Sequence, residues 1–333
     1  MQEYELNSVL EQYDVVVSST RKARGAILCD TDKGLLLLKE PDISPTKIPA
    51  LLELYDHFER QGFRQVDFPV RNREGGIISR GDAGGAFILK HWCAGRECDI
   101  RKTGELLKAS GNLAKLHLLM QGESASHVPT APHLKDEYMR HNREFKKVRK
   151  FMRGVAPKGE FEFAFLKCFD KMYHWADTAL RELEGSSYEE LYYKSIEQGC
   201  MTHGEYNYHN IIMSQPPSQN ILMVTNFERF RRDVQAEDLY YFLRKVLEKH
   251  GWKERLGDNM LNAYSAIRPL SEPEMEYLKI RLIYPEKFWK VADSYYRSNK
   301  AWISAKSIEK INVSIRQTEE KEKFLRHVFS FSL

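Results

Sequence analysis

His203-Gly204-Glu205-Tyr206-Asn207-Tyr208-His209-Asn210 is a polar loop that stands directly before two short apolar runs, Asn210-Ile211-Ile212-Met213 and Ile221-Leu222-Met223-Val224. The runs flank a turn over 214–219 and read as a hairpin. Beyond it, Val224-Thr225-Asn226-Phe227-Glu228 returns to polar character. The surrounding chain has helical periodicity: 103–121, 136–153, 160–184 and 188–199 before the loop, then 235–250, 257–268, 272–283 and most of 285–328. A lone hairpin therefore sits in helical surroundings, with a carboxylate and an amide five positions apart at its mouth.

Toward the amino terminus the pattern changes to strands. Val15-Val16-Val17, Gly25-Ala26-Ile27-Leu28 and Leu35-Leu36-Leu37-Leu38-Lys39 are short apolar runs, and Asp32-Lys33-Gly34 is a turn signal between the last two. A helix follows, with Ser44 as its cap, Pro45 at its first position, a stripe of Ile48, Leu51, Leu52, Tyr55 and Phe58, and Gly62 as its stop. Val66–Val70, Gly76–Ser79 and Phe87–His91 read as further strands. The organisation expected is a β-rich lobe over 1–91, a connector over 92–99 and a helical lobe over 100–333 that contains the hairpin 202–228.

Composition narrows the partners. Fifty-one basic and 47 acidic residues leave a formal charge of +4 spread along the chain, which does not point to nucleic acid. Cys29, Cys93, Cys98, Cys168 and Cys200 show neither a C-x-x-C pair nor metal-ligand spacing and read as reduced thiols. No apolar run approaches the roughly 20 residues of a membrane span, and the first residues show no secretory leader. A protein made inside the cell is expected.

A strand-rich lobe joined to a helical lobe is a layout suited to phosphoryl transfer, which needs a cation on the nucleotide phosphates, a carboxylate to orient the acceptor hydroxyl, and oxygens to hold magnesium. Lys39 closes an apolar strand, as a phosphate-contacting lysine does. Glu205 and Asn210 keep the spacing of a catalytic carboxylate and a magnesium-binding amide. Asn226 stands where a second metal ligand would be presented.

With the order His203-Gly204-x5-Asn210 and then Asn226-Phe227-Glu228, the chain resembles the aminoglycoside phosphotransferase and choline kinase-like group. Further segments resemble the CotS family of bacterial spore-coat proteins within that group. They are Trp92-x2-Gly95-Arg96-Glu97-x-Asp99, Leu113-Ala114-x-Leu116-His117, Asp238-Leu239-x2-Phe242-Leu243-Arg244-Lys245 with Trp252, and Tyr284-Pro285-Glu286-Lys287-Phe288-Trp289-Lys290. The resemblance implies an α+β, two-lobed protein-kinase-like (aminoglycoside phosphotransferase-like) fold, with a small antiparallel β lobe and a larger helical lobe. It implies synthesis in the mother-cell cytoplasm, deposition in the spore coat, and other coat proteins as partners. For the site it implies Glu205 as catalytic residue, Lys39 on the nucleotide, Asn210 and Asn226 on the metal, and ATP and Mg2+ bound weakly or not at all.

Two functions follow: a pseudokinase or structural coat component, or an active phosphotransferase acting on a hydroxyl of a small molecule or coat saccharide. Glu205 keeps the charge of the usual Asp but moves it by about one methylene, and a displacement near 1 Å costs about a hundredfold in rate. Asn226 loses the charge altogether, and magnesium is gripped chiefly through carboxylates. Ser18-Ser19-Thr20-Arg21-Lys22, read as a loop between the first strands, lacks phosphate-loop glycines but offers Arg21 and Lys22. In an extended segment Glu228 would point to the same side as Asn226 and supply a carboxylate. Neither Glu53 nor Glu59 is singled out as a partner of Lys39. His203 and His209 read as supports of the loop, the sequon at Asn312 as idle, and Phe288, Trp289, Tyr295, Tyr296 and Trp302 as core.

Overall fold

The computed structural model describes residues 3–23, 25–122, 128–215, 221–298 and 304–333. Most of the turn expected over 214–219, and Trp302, lie outside them. The first elements are helix α1 (Glu3–Leu10), strands β1 (Val17–Ala23), β2 (Ala26–Thr31) and β3 (Gly34–Lys39), helix α2 (Ile48–Arg60), and strands β4 (Ser79–Arg80), β5 (Ala86–His91) and β6 (Gly95–Glu97). Helices α3 (Thr103–Leu119), α4 (Leu134–Gly154), α5 (Glu160–Glu184) and α6 (Tyr188–Glu197) follow. Short strands β7 (Met201–Thr202), β8 (Ile211–Ser214), β9 (Leu222–Val224) and β10 (Arg231–Arg232) precede α7 (Ala236–His250), α8 (Glu254–Ser265) and α9 (Glu272–Ile283). The chain ends with α10 (Glu286–Arg297), α11 (Ala305–Arg316) and α12 (Thr318–Phe329).

Two compact units result. The first comprises Met1–Asn112, Glu123–Pro129 and His203–Arg231, and the second Leu113–Gly122, Thr130–Thr202 and Arg232–Leu333. The hairpin groups with the strand-rich unit. Within that unit a five-stranded antiparallel sheet runs in the order β1-β2-β3-β5-β4. Leu36, Leu38, Cys29, Phe87 and Leu89 form one buried layer with Leu6, Val9 and Leu10 of α1 and with Tyr13. Side chains alternate along a strand, so Leu37, Lys39, Ile88 and Lys90 take the other face. The register pairs Leu37 with Lys90 and Lys39 with Ile88, which brings two lysines to that face as diagonal neighbours.

Several local expectations change. Helix α1 adds to the expected elements, and Ser18–Lys22 is no loop: these residues lie inside β1, exposed and paired with β2. Arg21 is tied to Asp30 at 2.7 Å. Polar residues fit an exposed edge strand, which is why their composition reads as a loop. Pro45–Lys47 forms a separate 3-10 turn, Ser44 makes no side-chain cap, and α2 buries Leu54 where Leu52 was expected. Over 66–70 only Val66 and Pro69 make strand bridges.

The hairpin β8–β9 gains a third strand, β6, in the order β6-β8-β9. Gly95 permits this approach, because a Cβ there would lie 2.4 Å from the Met213 carbonyl oxygen.

In the second unit α4 packs on α5, and Phe145 sits fully buried among Phe169 at 5.7 Å, Phe288 at 5.9 Å and Trp289 at 5.1 Å between ring centroids. Phe288 and Trp289 are core, whereas Tyr295 is half-buried and Tyr296 exposed. Among the described residues no helix is long and apolar enough to cross a membrane. Phe145→Ala is expected to cost about 3–5 kcal/mol, since the rigid ring cage closes poorly over the void; a urea midpoint unchanged from the parent would refute this.

Candidate functional site

The sequence-predicted residues Lys39, Glu205, Asn210 and Asn226 all belong to the first unit. Asn226 has left-handed backbone angles, φ 66° and ψ 57°, a conformation Asn tolerates better than most residues. It opens a 3-10 turn, Phe227–Arg229. The segment is therefore not extended, and alternation does not set the direction of Glu228. The turn does so instead: Lys39 Nζ donates to Asn226 Oδ1 at 2.7 Å and to Glu228 Oε1 at 3.2 Å. The carboxylate partner of Lys39 is Glu228, not a residue of α2.

The sheet supplies a second lysine that sequence reading missed. Lys90 Nζ, wholly buried, donates to Asp67 Oδ2 and to Glu228 Oε1, each at 2.8 Å. Asp67 also accepts from the Tyr55 hydroxyl at 2.9 Å and from the Asn226 backbone N–H at 2.8 Å. Phe227 fills the space behind the turn, 5.3 Å from Phe58 and 4.6 Å from His203 between ring centroids. Strand β5, the segment after α2, and the turn after β9 thus converge on one buried ammonium. Its only sequence signal is a lysine inside the apolar run Phe87-Ile88-Leu89-Lys90.

The loop itself is held from below. The Glu205 N–H donates to His203 Nδ1 at 3.1 Å, so the imidazole proton sits on Nε2, which donates to the Thr225 carbonyl at 2.9 Å. His203 thus supports the backbone. Gly204 has φ +83°, and a Cβ there would lie 2.2 Å from the Arg229 carbonyl oxygen, so the loop needs glycine at this point. Asn210 Nδ2 donates to the Glu205 carbonyl at 2.9 Å, which ties the two ends of the loop together. The Glu205 carboxylate is half-buried and has no ion pair among the described residues.

This site lies in a chain whose whole length follows a known pattern: the family model described as "Spore coat putative kinase YutH" matches residues 7–328. The chain belongs to this family. Spore coat protein S of Bacillus subtilis (strain 168) is 24% identical over 318 residues, covering 93% of this chain and 88% of that protein. An aminoglycoside phosphotransferase from Alicyclobacillus acidocaldarius superposes with a TM-score of 0.85 at 17% identity, over 97% of this chain and 95% of that one. A spectinomycin phosphotransferase with bound AMP gives 0.65 at 12% identity, over 99% and 98%. The fold is that of the aminoglycoside phosphotransferase-like kinases.

The residues that this fold would use for magnesium do not fit the ion here. Asn210 Oδ1 accepts from Asn226 Nδ2 at 2.8 Å, and Asn226 Oδ1 accepts from the Lys39 ammonium. A metal on Asn226 would have to displace a cation. Glu228 is already shared by two lysines, and among the described residues no three His, Cys, Asp or Glu side chains are grouped to hold a metal.

Lys39 and Lys90 balance Asp67 and Glu228 charge for charge. Burial alone would raise the Glu228 carboxyl, but the ammonium groups of Lys90 and Lys39 override it and bring it down to about 2. Burial would likewise lower Lys90, and Asp67 and Glu228 reverse this and raise it. A carboxyl depressed below its unfolded value of about 4.3 adds stability above that pH and loses it as the pH falls through the folded value. Lys90→Met leaves two buried carboxylates short of a cation and is expected to cost about 3–5 kcal/mol near neutrality. The gap to the unaltered protein should narrow as the pH falls from about 4.3 toward the folded value of about 2, where Glu228 takes up a proton. Denaturant titrations across that range test this, and a pH-independent gap would rule out the ion pair as its cause.

Proposed function

We propose that this protein is a structural component of the endospore coat that keeps the kinase-like fold as a pseudokinase. The observation that carries the reading is the balanced quartet Lys39, Lys90, Asp67 and Glu228 around a neutral Asn226. A kinase with a carboxylate at this position has an uncompensated negative charge that a divalent cation satisfies. With an amide there, the cluster is satisfied by lysines alone. In this reading the protein is made in the mother cell, is deposited in the coat, and meets other coat proteins there.

One feature favours a second reading, a phosphotransferase acting on a hydroxyl of a small molecule or coat saccharide. The Glu205 carboxylate has no ion pair among the described residues, feels the charge of Arg229, and stands in a loop still tied to Asn210, where it would serve as a base. Lys39 would then contact the phosphates, with one of its three N–H donors left after Asn226 and Glu228.

Thermal unfolding with ATP, with and without Mg2+, separates the two. A ligand at about 100 times its Kd stabilises by about 2.7 kcal/mol, a shift of several degrees. The expected result is no magnesium-dependent shift in the unaltered protein, and a gain of one in Asn226→Asp. Steady ATP turnover by the unaltered protein would overturn the pseudokinase reading.

A further inference from the structure

Helix α4 carries eight Lys and Arg against three Asp and Glu, an excess of five on a chain whose whole formal charge is +4. The charge is not spread evenly. In the first half, Lys135, Arg140 and Arg143 are matched by Asp136, Glu137 and Glu144, with Lys135 on Glu184 at 3.2 Å and Glu144 on Arg297 at 3.2 Å. The second half, from Lys146 to Arg153, has five cations and no acid.

Four of these cations, Lys146, Arg149, Lys150 and Arg153, line an open concavity of about 350 Å³ between α4 and α5. Helix α5 lines it with the carboxylate of Asp170, which is used by Arg149 at 2.9 Å. Lys150 and Arg153 have no carboxylate partner among the described residues, while Lys146 is hydrogen-bonded to Tyr173 and feels the more distant charge of Asp177. Two of the four are held in place by rings: the Arg149 guanidinium lies 4.3 Å from the centre of Phe169 and the Lys146 ammonium 5.0 Å from that of Tyr173. Those rings stack on each other at 5.5 Å and 12°, which makes a firm floor. Cations held over rings lose less freedom on binding an anion than cations on free stems.

We propose that this concavity docks an acidic segment of a partner protein. Lys146 and Arg153 stand about 10.5 Å apart along the helix axis. An extended chain places successive same-side carboxylates about 6.7 Å apart, so two or three alternating Asp or Glu residues span the array. Nucleic acid fits less well. Specific nucleic-acid interfaces bury on the order of 1,000 Å² or more of basic surface, whereas the remaining residues of this chain have no excess of positive charge. The faces that would stack on bases are already covered by Arg149 and Lys146.

The test is fluorescence anisotropy with a labelled Glu-Ser alternating peptide of about ten residues on the full chain. Binding is expected, weakening at least about tenfold from about 50 to about 300 mM salt. Lys150→Glu with Arg153→Glu should abolish it. Arg64→Glu with Lys306→Glu, exposed residues outside the concavity that change the net charge equally, should leave it within about twofold after the salt correction. Circular dichroism and melting of both variants verify folding, and Lys150→Ala with Arg153→Ala, a milder change, should weaken binding at least about fivefold if the reversal fails to fold. Absence of binding, equal loss in both charge-reversed variants, or stronger binding of a single-stranded oligonucleotide of equal charge would each overturn the proposal.

Discussion

The Lys90 ammonium, buried and divided between Asp67 and Glu228, is the contact around which the first unit is arranged. Removing such charges from water costs several kcal/mol per ion, and only close pairing with further hydrogen bonds recovers it. Those bonds are present. Asp67 has three donors in Tyr55, Lys90 and the Asn226 backbone, and Glu228 has two ammonium groups. Buried apolar contacts tolerate sliding, but a charge quartet does not. The sheet, α2 and the turn after β9 are therefore fixed in one mutual register, and the left-handed geometry of Asn226 is held by the donor it must present to Asp67.

In this arrangement the amide at position 226 is held on both sides. Its Oδ1 faces Lys39 and its Nδ2 faces Asn210, so both halves of the amide are in use and its orientation is determined. A carboxylate could not donate to Asn210, and it would place a third negative charge beside two lysines. The neutral side chain and the internal cations are thus parts of one charge-balanced arrangement. Glu228, which in an extended chain would be free to help bind a metal, is consumed in that balance.

The loop, the hairpin and the lysine closing β3 were legible because each is a local pattern, a spacing or an apolar run that needs no partner to be recognised. Lys39, Glu205, Asn210 and Asn226 do come together in one unit. Asp67 and Lys90 were not legible. Their partners are 23 and 138 residues away from Lys90, and a lysine in an apolar strand looks the same whether it is solvated at an edge or buried at the centre. The error over Ser18–Lys22 has the opposite cause. Polar composition signals exposure, which is correct for β1, but exposure does not distinguish an edge strand from a loop.

The segments that marked the family are mostly buried packing rather than site. Asp238 is buried against His117, Tyr284 stacks on Tyr138 at 4.3 Å, and Glu286, Phe288 and Trp289 are core. Such residues transmit a fold and say little about chemistry, because any activity carried by this fold needs the same interior. What distinguishes this chain must then lie where packing does not dictate the residue, at Asn226 and on the surface. The second half of α4 is such a place. Its charge was present in the composition, but a sequence shows cations without showing whether a neighbouring helix neutralises them. Here α5 answers with Asp170 on Arg149, the more distant Asp177 and two rings, so the charge is organised rather than cancelled.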